Sequence, residues 1–322
     1  MVHWAPCIAQ GAIDVHSHII TPEFLTSLEQ EDRLLDEGFP LPKYDVAAHL
    51  RWMDQAGVQT SVLTLAAPQP HRSAIRQCNE TAARIKRDHP GRFLFCAALP
   101  LPDVEAAVSE AIYALDTLKA EGIKLATNAD GQYLGAPELD TLFALLNERR
   151  ALVILHPHRP EPVNRQAMRQ TPLAMQEYLS ETTRAVTNMI SRNVLARYNH
   201  LKVVVPHCGA YLPLAIPRMK SLTPVMQHNN MVGQIDYTAN LATLYYDLAG
   251  AHSPETIRML LTITTPDHLL YGSDYPYVAP NVLTQSLQRM RDYLASEEDL
   301  APYREMILFK NAERLFQLSR KP

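Results

Sequence analysis

Apolar residues along this chain gather in short runs, most of them continuous, and stretches of helical period separate them. The runs are "AIDVH" (12–16), "VQTSVLTL" (58–65), "RFLFCAAL" (92–99), "GIKLAT" (122–127), "ALVILH" (151–156), "LKVVVPH" (201–207), "LYYDLA" (244–249) and "HLLYGSD" (268–274). A strand that alternates apolar with polar residues has one wet face; a continuous apolar run implies a strand covered on both faces, as in a parallel sheet. Between the runs, "VAAHLRWMDQAG" (46–57), "AIRQCNETAARIKRD" (74–88), "VEAAVSEAIYALDTLKAEG" (104–122) and "PLAMQEYLSETTRAVTNMISRNVLARY" (172–198) predict helices. Gly57 is a C-terminal stop for the first of these, and Asp103 caps the third. Eight strands with intervening helices predict an α/β chain folded as one (β/α)8 TIM barrel over 1–322, distorted, with a C-terminal helical extension. Two segments are too long for simple connections: 21–45 after the first strand and 157–172 after the fifth. Both follow strand C-termini, so both are expected to overhang the active-site face.

Composition narrows the function classes. A net charge of −4 over 322 residues offers no basic field for nucleic acid or an anionic membrane. No window holds the roughly 18 consecutive apolar residues that a membrane span needs. The first residues lack a basic stretch followed by an apolar one, so no export signal is expected. Cys7, Cys78, Cys96 and Cys208 are scattered without metal-ligand spacing, which predicts reduced thiols in a cytoplasmic protein.

The chemistry lies at the ends of the predicted strands. Strand one ends in His16 and His18, strand five in His156, strand six in His207 and strand eight in Asp274. All strand C-termini of a parallel barrel meet on one rim, so these five groups converge. Side chains at i and i+2 share a strand face, so His16 and His18 can grip one cation together. A third imidazole and a carboxylate complete a shell of three nitrogens and one oxygen, a donor set that suits zinc. Any one strand histidine taken alone is more simply a hydrogen-bonded core residue. Five such residues buried at matching strand ends without a cation would be costly. His3, His49, His71, His89, His200, His228, His252 and His268 read instead as surface, helix or loop residues.

The motifs "DVHSH", "LHP", "VVPHCGAYLP" and "LLYGSDYP" resemble the amidohydrolase superfamily in order and spacing. More narrowly, the chain resembles the branch of aminocarboxymuconate semialdehyde decarboxylase and the salicylate-type decarboxylases. "GIKLATNADGQYLGAPELDTLFALLNERRALVILHP" is most similar to the 6-methylsalicylate decarboxylases. The resemblance implies that His16, His18, His156 and Asp274 bind one divalent metal. It implies Zn2+, with Mn2+ as the alternative because some relatives carry a carboxylate first in strand one. It also implies that His207 and Asp274 handle protons, that no organic cofactor is needed, that the substrate is a small aromatic carboxylate, and that the chain is a homodimer. Relatives often hold the substrate carboxylate with an arginine; Arg72 and Arg159 lie on the expected rim, and Arg33 lies in the first insertion. Tyr211 and Cys208 stand where relatives have smaller residues, which is expected to narrow the pocket.

These readings leave three function classes. A decarboxylase would protonate the ring carbon and then lose CO2. A hydrolase of a lactone or amide would use the same metal to activate water, and with Lys124 on strand four it could hold two metals. A barrel without catalysis would serve as a binding module, which five intact polar groups argue against.

Overall fold

The computed structural model describes residues 11–164, 166–167, 171–250 and 252–317. His3 and Cys7 lie outside the described residues. Eight parallel strands form one sheet in chain order: β1 (Ala12–Ile19), β2 (Val58–Leu65), β3 (Phe93–Ala98), β4 (Gly122–Ala126), β5 (Leu152–His156), β6 (Lys202–Val205), β7 (Leu244–Asp247) and β8 (Leu269–Leu270). The ring closes from β8 back to β1. Val15 N–H donates to the Tyr271 carbonyl and His18 N–H to the Tyr275 carbonyl, at 3.0 and 2.7 Å. The chain is thus a (β/α)8 barrel, as its apolar runs predict.

The strands are buried on both faces because helices cover the outside and side chains fill the inside. Val62, Leu63, Phe93, Phe95, Val204 and Tyr246 are all inaccessible to solvent. Helix ends follow local chemistry. Asp45 accepts from the Ala48 N–H at the start of helix Val46–Ala56, and Gly57 ends it with a left-handed φ of 68°. Asp103 caps helix Val104–Asp116 through the Ala106 N–H.

Four elements differ from their predicted extents. The segment 172–198 is a 3-10 turn (Leu173–Met175), a helix (Glu177–Ser191) and a short helix (Val194–Arg197). Asn193 adopts a left-handed φ of 52°, which a continuous α-helix does not allow. Helix Val104–Asp116 stops short of Gly122 before Lys119, which also turns left-handed. The runs at 201–207 and 268–274 pair regularly only over Lys202–Val205 and Leu269–Leu270. Both then leave the ladder to deliver His207 and Asp274. The first insertion carries helix Pro22–Gln30, capped by Thr21, and then runs as a loop to Asp45. Helix Pro280–Ser296 follows the last strand, and further helical turns over 301–315 form the C-terminal extension. Among the described residues no helix is long and apolar enough to cross a membrane.

Glycine is required where strands approach most closely. A Cβ on Gly122 would overlap the Leu152 carbonyl oxygen on the neighbouring strand. Backbone cannot yield as a side chain can, so Gly122→Ala is expected to destabilise the barrel by roughly 1–3 kcal/mol. Urea denaturation followed by circular dichroism checks this; an unchanged midpoint contradicts the close β4–β5 contact.

Candidate metal centre and active-site cavity

His16, His18 and His156 are 2%, 0% and 3% exposed, and with Asp274 they offer four donor atoms within 4.8 Å of one another. Two strands, β1 and β5, and the segment after β8 supply them, as the parity of "HSH" and the barrel rim require. His18 Nε2 lies 3.2 Å and His16 Nε2 3.5 Å from Asp274 Oδ1. Yet His16 Nε2, His18 Nε2 and Asp274 Oδ1 are buried with no hydrogen bond to satisfy them. Buried polar atoms in that state cost about 1–3 kcal/mol each. A shared divalent cation satisfies all of them at once, so this donor set fits one such ion.

The opposite ring nitrogens are all paired. His16 Nδ1 lies 2.8 Å from Asp247 Oδ2, His18 Nδ1 3.0 Å from the Thr64 hydroxyl, and His156 Nδ1 2.8 Å from the Pro157 carbonyl oxygen. Pro157 O can only accept. The Thr64 hydroxyl donates to the Ser17 carbonyl, so it too accepts from the ring. Each imidazole therefore carries its proton on Nδ1 and turns an Nε2 lone pair inward, the arrangement that orients histidines for a metal. Burial pushes His18 down to about 4 and His156 well below its ordinary range, so both stay neutral. Burial also opposes a charge on His16, but Asp247 and Asp274 outweigh it and raise the ring well above its ordinary value. Burial works against ionised Asp274, yet the facing rings of His16, His18 and His207 hold its carboxyl well below the usual range.

Two fully buried carboxylates support this ring, and sequence reasoning missed both. Asp247, the last residue of β7, accepts from His16 Nδ1, from the His207 N–H (3.1 Å) and from the Ala249 N–H (3.0 Å). It joins a metal ligand to the turn that carries His207. Asp14 accepts from the His16 N–H, the Ser273 N–H and the Ser61 and Ser273 hydroxyls. Burial pushes its carboxyl up to about 6. Asp14 and Asp247 both stand in the quoted strand runs; carboxylates inside apolar runs were the available signal. A Cβ on Gly272 would come 2.8 Å from the His16 Cβ and 3.2 Å from the Asp247 Cβ, so this pairing depends on glycine at 272.

His207 and Asp274 both leave their strands at positive φ, 56° and 65°. Such backbone costs about 1–3 kcal/mol per residue and persists where hydrogen bonds over-determine it. Here the His207 N–H is held by Asp247, and the Asp274 N–H by the His16 carbonyl at 2.8 Å. His207 Nε2 then faces Asp274 Oδ2 at 3.6 Å.

A cavity of about 570 Å3 opens over these groups. His156, His207 and Asp274 line its floor, and Phe39, Tyr178 and Tyr277 stand as aromatic walls. Among the described residues no lysine or arginine lines it. Arg72 is 52% exposed and 4.0 Å from Asp130; Arg159 lies between Asp36 and Glu161 at 3.5 and 3.6 Å. Arg33 pairs with Glu31 and Asp36 at 2.9 and 2.7 Å. Tyr211 sits at the exposed start of helix Leu212–His228; Cys208 does line the cavity.

Lys124 is 2% exposed, and its Nζ has no hydrogen-bond partner. Burial lowers it to about 7, against the support of Glu37. Glu37 itself comes from the first insertion and is 1% exposed. Its carboxylate accepts from the Tyr178 hydroxyl (3.0 Å) and lies 2.7 Å from His158 Nδ1. This cluster ties the insertion, and with it Phe39, to the cavity wall. His49 is fully buried and stacks on Tyr275, ring centroids 4.1 Å apart.

Compared with known proteins, residues 13–318 match the amidohydrolase family profile. A 6-methylsalicylic acid decarboxylase from Penicillium expansum is 29% identical over 298 residues, covering 89% of this chain and 91% of that protein. A crystal structure described as an amidohydrolase II superposes with a TM-score of 0.85 at 27% identity, covering 95% of this chain and 99% of that one. The dihydroxybenzoic acid decarboxylase of Polaromonas sp. JS666, solved with manganese and the inhibitor 2-nitroresorcinol, has a TM-score of 0.81 at 20% identity, covering 97% and 98%.

Asp247→Ala removes the acceptor that orients His16. Divalent-metal affinity, measured by chelator competition, is expected to fall by roughly 10–100-fold. Gly272→Ala, which crowds the same pair, should act in the same direction. Wild-type affinity in both variants contradicts the orienting role.

Proposed function

The chain belongs to the amidohydrolase family, and from that premise we propose that it is a metal-dependent, non-oxidative decarboxylase of a small aromatic acid of the 2-hydroxybenzoate type. The observation that carries this reading is a donor ring with unpaired Nε2 and Oδ1 atoms on the floor of an aromatic-walled cavity. His16, His18, His156 and Asp274 would hold the ion. Three imidazoles and one carboxylate favour zinc, with manganese as the alternative. When bound, a divalent ion supplies Lewis acidity and neutralises the carboxylate and the neighbouring phenolic oxygen of the substrate. Among the described residues no cationic side chain lines the cavity, so a bound divalent ion would be the cationic partner of the substrate carboxylate there.

The rest of the chemistry belongs to side chains. Phe39, Tyr178 and Tyr277 position the ring and keep bulk water from its faces. Direct loss of CO2 would leave an aryl carbanion. Protonating the carboxylate-bearing ring carbon first avoids that charge. His207 would deliver this proton from Nε2, which faces Asp274 Oδ2 at 3.6 Å. The proton forms a C–H bond. The C–C bond then breaks, its electron pair returns to the ring, and CO2 departs. His207 recovers its proton from solvent, and the products are one phenol and one CO2.

The reading extends to assembly and compartment. Helix Leu212–His228 leaves Leu214 and Val225 exposed, and Met231 and Val232 follow them at the surface, an apolar face suited to a second copy of the chain. Cys78, Cys96 and Cys208 are free thiols, in keeping with a reducing cytoplasm.

The test supplies zinc- or manganese-loaded protein with 2-hydroxybenzoates and monitors CO2 and the phenol. Turnover is expected, and His207→Gln should lower kcat by about 10²–10⁴-fold while metal content holds. No turnover of any 2-hydroxybenzoate, with hydrolysis of a lactone or amide, overturns the reading in favour of a hydrolase.

A further inference from the structure

The cavity divides sharply by chemistry. Its polar capacity lies on the floor, at His156, His207 and Asp274. Every other hydroxyl in the lining has already committed its proton. Tyr178 donates to Glu37, Tyr277 to the Ala67 carbonyl (2.9 Å), and Thr256 to the Ser253 carbonyl (3.0 Å). The rest of the wall is apolar, with Leu179 and buried Pro213 and, at its exposed end, Ala174, Met175 and Met259. Exposure rises in the same direction, from 3% at His156 to 42% at Met259 and 70% at Met175. Methionine is a flexible apolar filler that adapts to chains of different length.

The size of the cavity points the same way. A methyl-substituted 2-hydroxybenzoate has eleven non-hydrogen atoms. Even at the generous ~30 Å3 that a water molecule occupies in the liquid, they fill roughly 330 Å3. The cavity offers about 570 Å3. The space left over is bounded by the apolar mouth. A polar substituent placed there would find no free side-chain hydroxyl to pair with and would leave the methionines uncovered. An alkyl chain would instead cover Met175 and Met259.

Building on the decarboxylase reading, we propose that the preferred substrate is a 2-hydroxybenzoate with an apolar ring substituent longer than methyl. The acid head sits on the floor, the ring lies between Phe39, Tyr178 and Tyr277, and the tail runs along Leu179, Pro213, Met259 and Met175. Tail length, rather than a second ring hydroxyl, then sets specificity.

The experiment compares 2-hydroxybenzoates that bear hydrogen, methyl, propyl or pentyl at ring position 6, and a second series substituted at position 4. Turnover and calorimetric affinity are read for each. In at least one series, kcat/KM should rise roughly two- to fourfold per methylene, as burial of a CH2 group in a half-open cavity predicts. Met259→Asp should cost the pentyl compound at least tenfold more than the unsubstituted one. Decarboxylation of the short compounds without gain from longer chains in either series overturns the tail site and leaves the reaction intact. Equal losses across chain lengths in Met259→Asp also overturn it. If no member releases CO2 yet affinity still climbs with chain length, the tail site stands and the assigned reaction falls.

Discussion

Buried imidazoles must be satisfied on one side and left wanting on the other, and the active rim is organised around that constraint. His16 shows it most clearly. Its Nδ1 is held by Asp247 and its backbone N–H by Asp14, so its Nε2 has only one direction to face. His18 and His156 repeat the arrangement with weaker acceptors, a threonine hydroxyl and a carbonyl oxygen. The strongest acceptor thus serves the ring whose charge the surrounding carboxylates favour most. Asp247 extends the same logic beyond the ligands, because its other oxygen holds the His207 backbone. The candidate metal donors and His207 are therefore tied together by one carboxylate.

Strain and burial concentrate where function requires them. The regular ladders of β6 and β8 end early, and His207 and Asp274 emerge in left-handed conformations that only a dense hydrogen-bond network sustains. A second buried network, Glu37 with Tyr178, His158 and the charge of Lys124, couples the first insertion to the cavity. It explains how a loop without regular structure over 39–45 can offer Phe39 as a fixed wall.

Much of this was legible in the sequence because barrel physics is periodic. Short, mostly continuous apolar runs marked the eight strands, and β2 was bounded to the residue. The i, i+2 spacing of His16 and His18 and the placement of His156 and Asp274 at strand ends follow from geometry that any parallel barrel shares. What stayed hidden depends on contacts between distant segments. Asp14 and Asp247 are carboxylates within strands, and nothing local says that 231 residues separate Asp247 from the imidazole it orients. His158 and Glu37 find each other only once the insertion folds back over β5. Arg72 and Arg159 lie on the expected rim, yet local acidic partners, Asp130, Asp36 and Glu161, occupy them. Rim position can be inferred from strand order; the direction of a long side chain cannot. The break at Asn193 was missed because a left-handed residue inside an amphipathic pattern leaves the period intact on both sides.

The barrel commits its polar capacity to one end of an apolar cavity, with His156, His207 and Asp274 on the floor and hydrocarbon along most of the remaining wall. On the reading proposed above, His16, His18, His156 and Asp274 form one mononuclear centre, and Lys124 serves the Glu37 network rather than a second ion. Elemental analysis of the purified chain, after dialysis with zinc or manganese, measures this directly. The account predicts one divalent ion per chain, falling to none in His156→Ala and unchanged in Lys124→Met. Two ions per chain, with one lost in Lys124→Met, or no ion in the wild type, would contradict it.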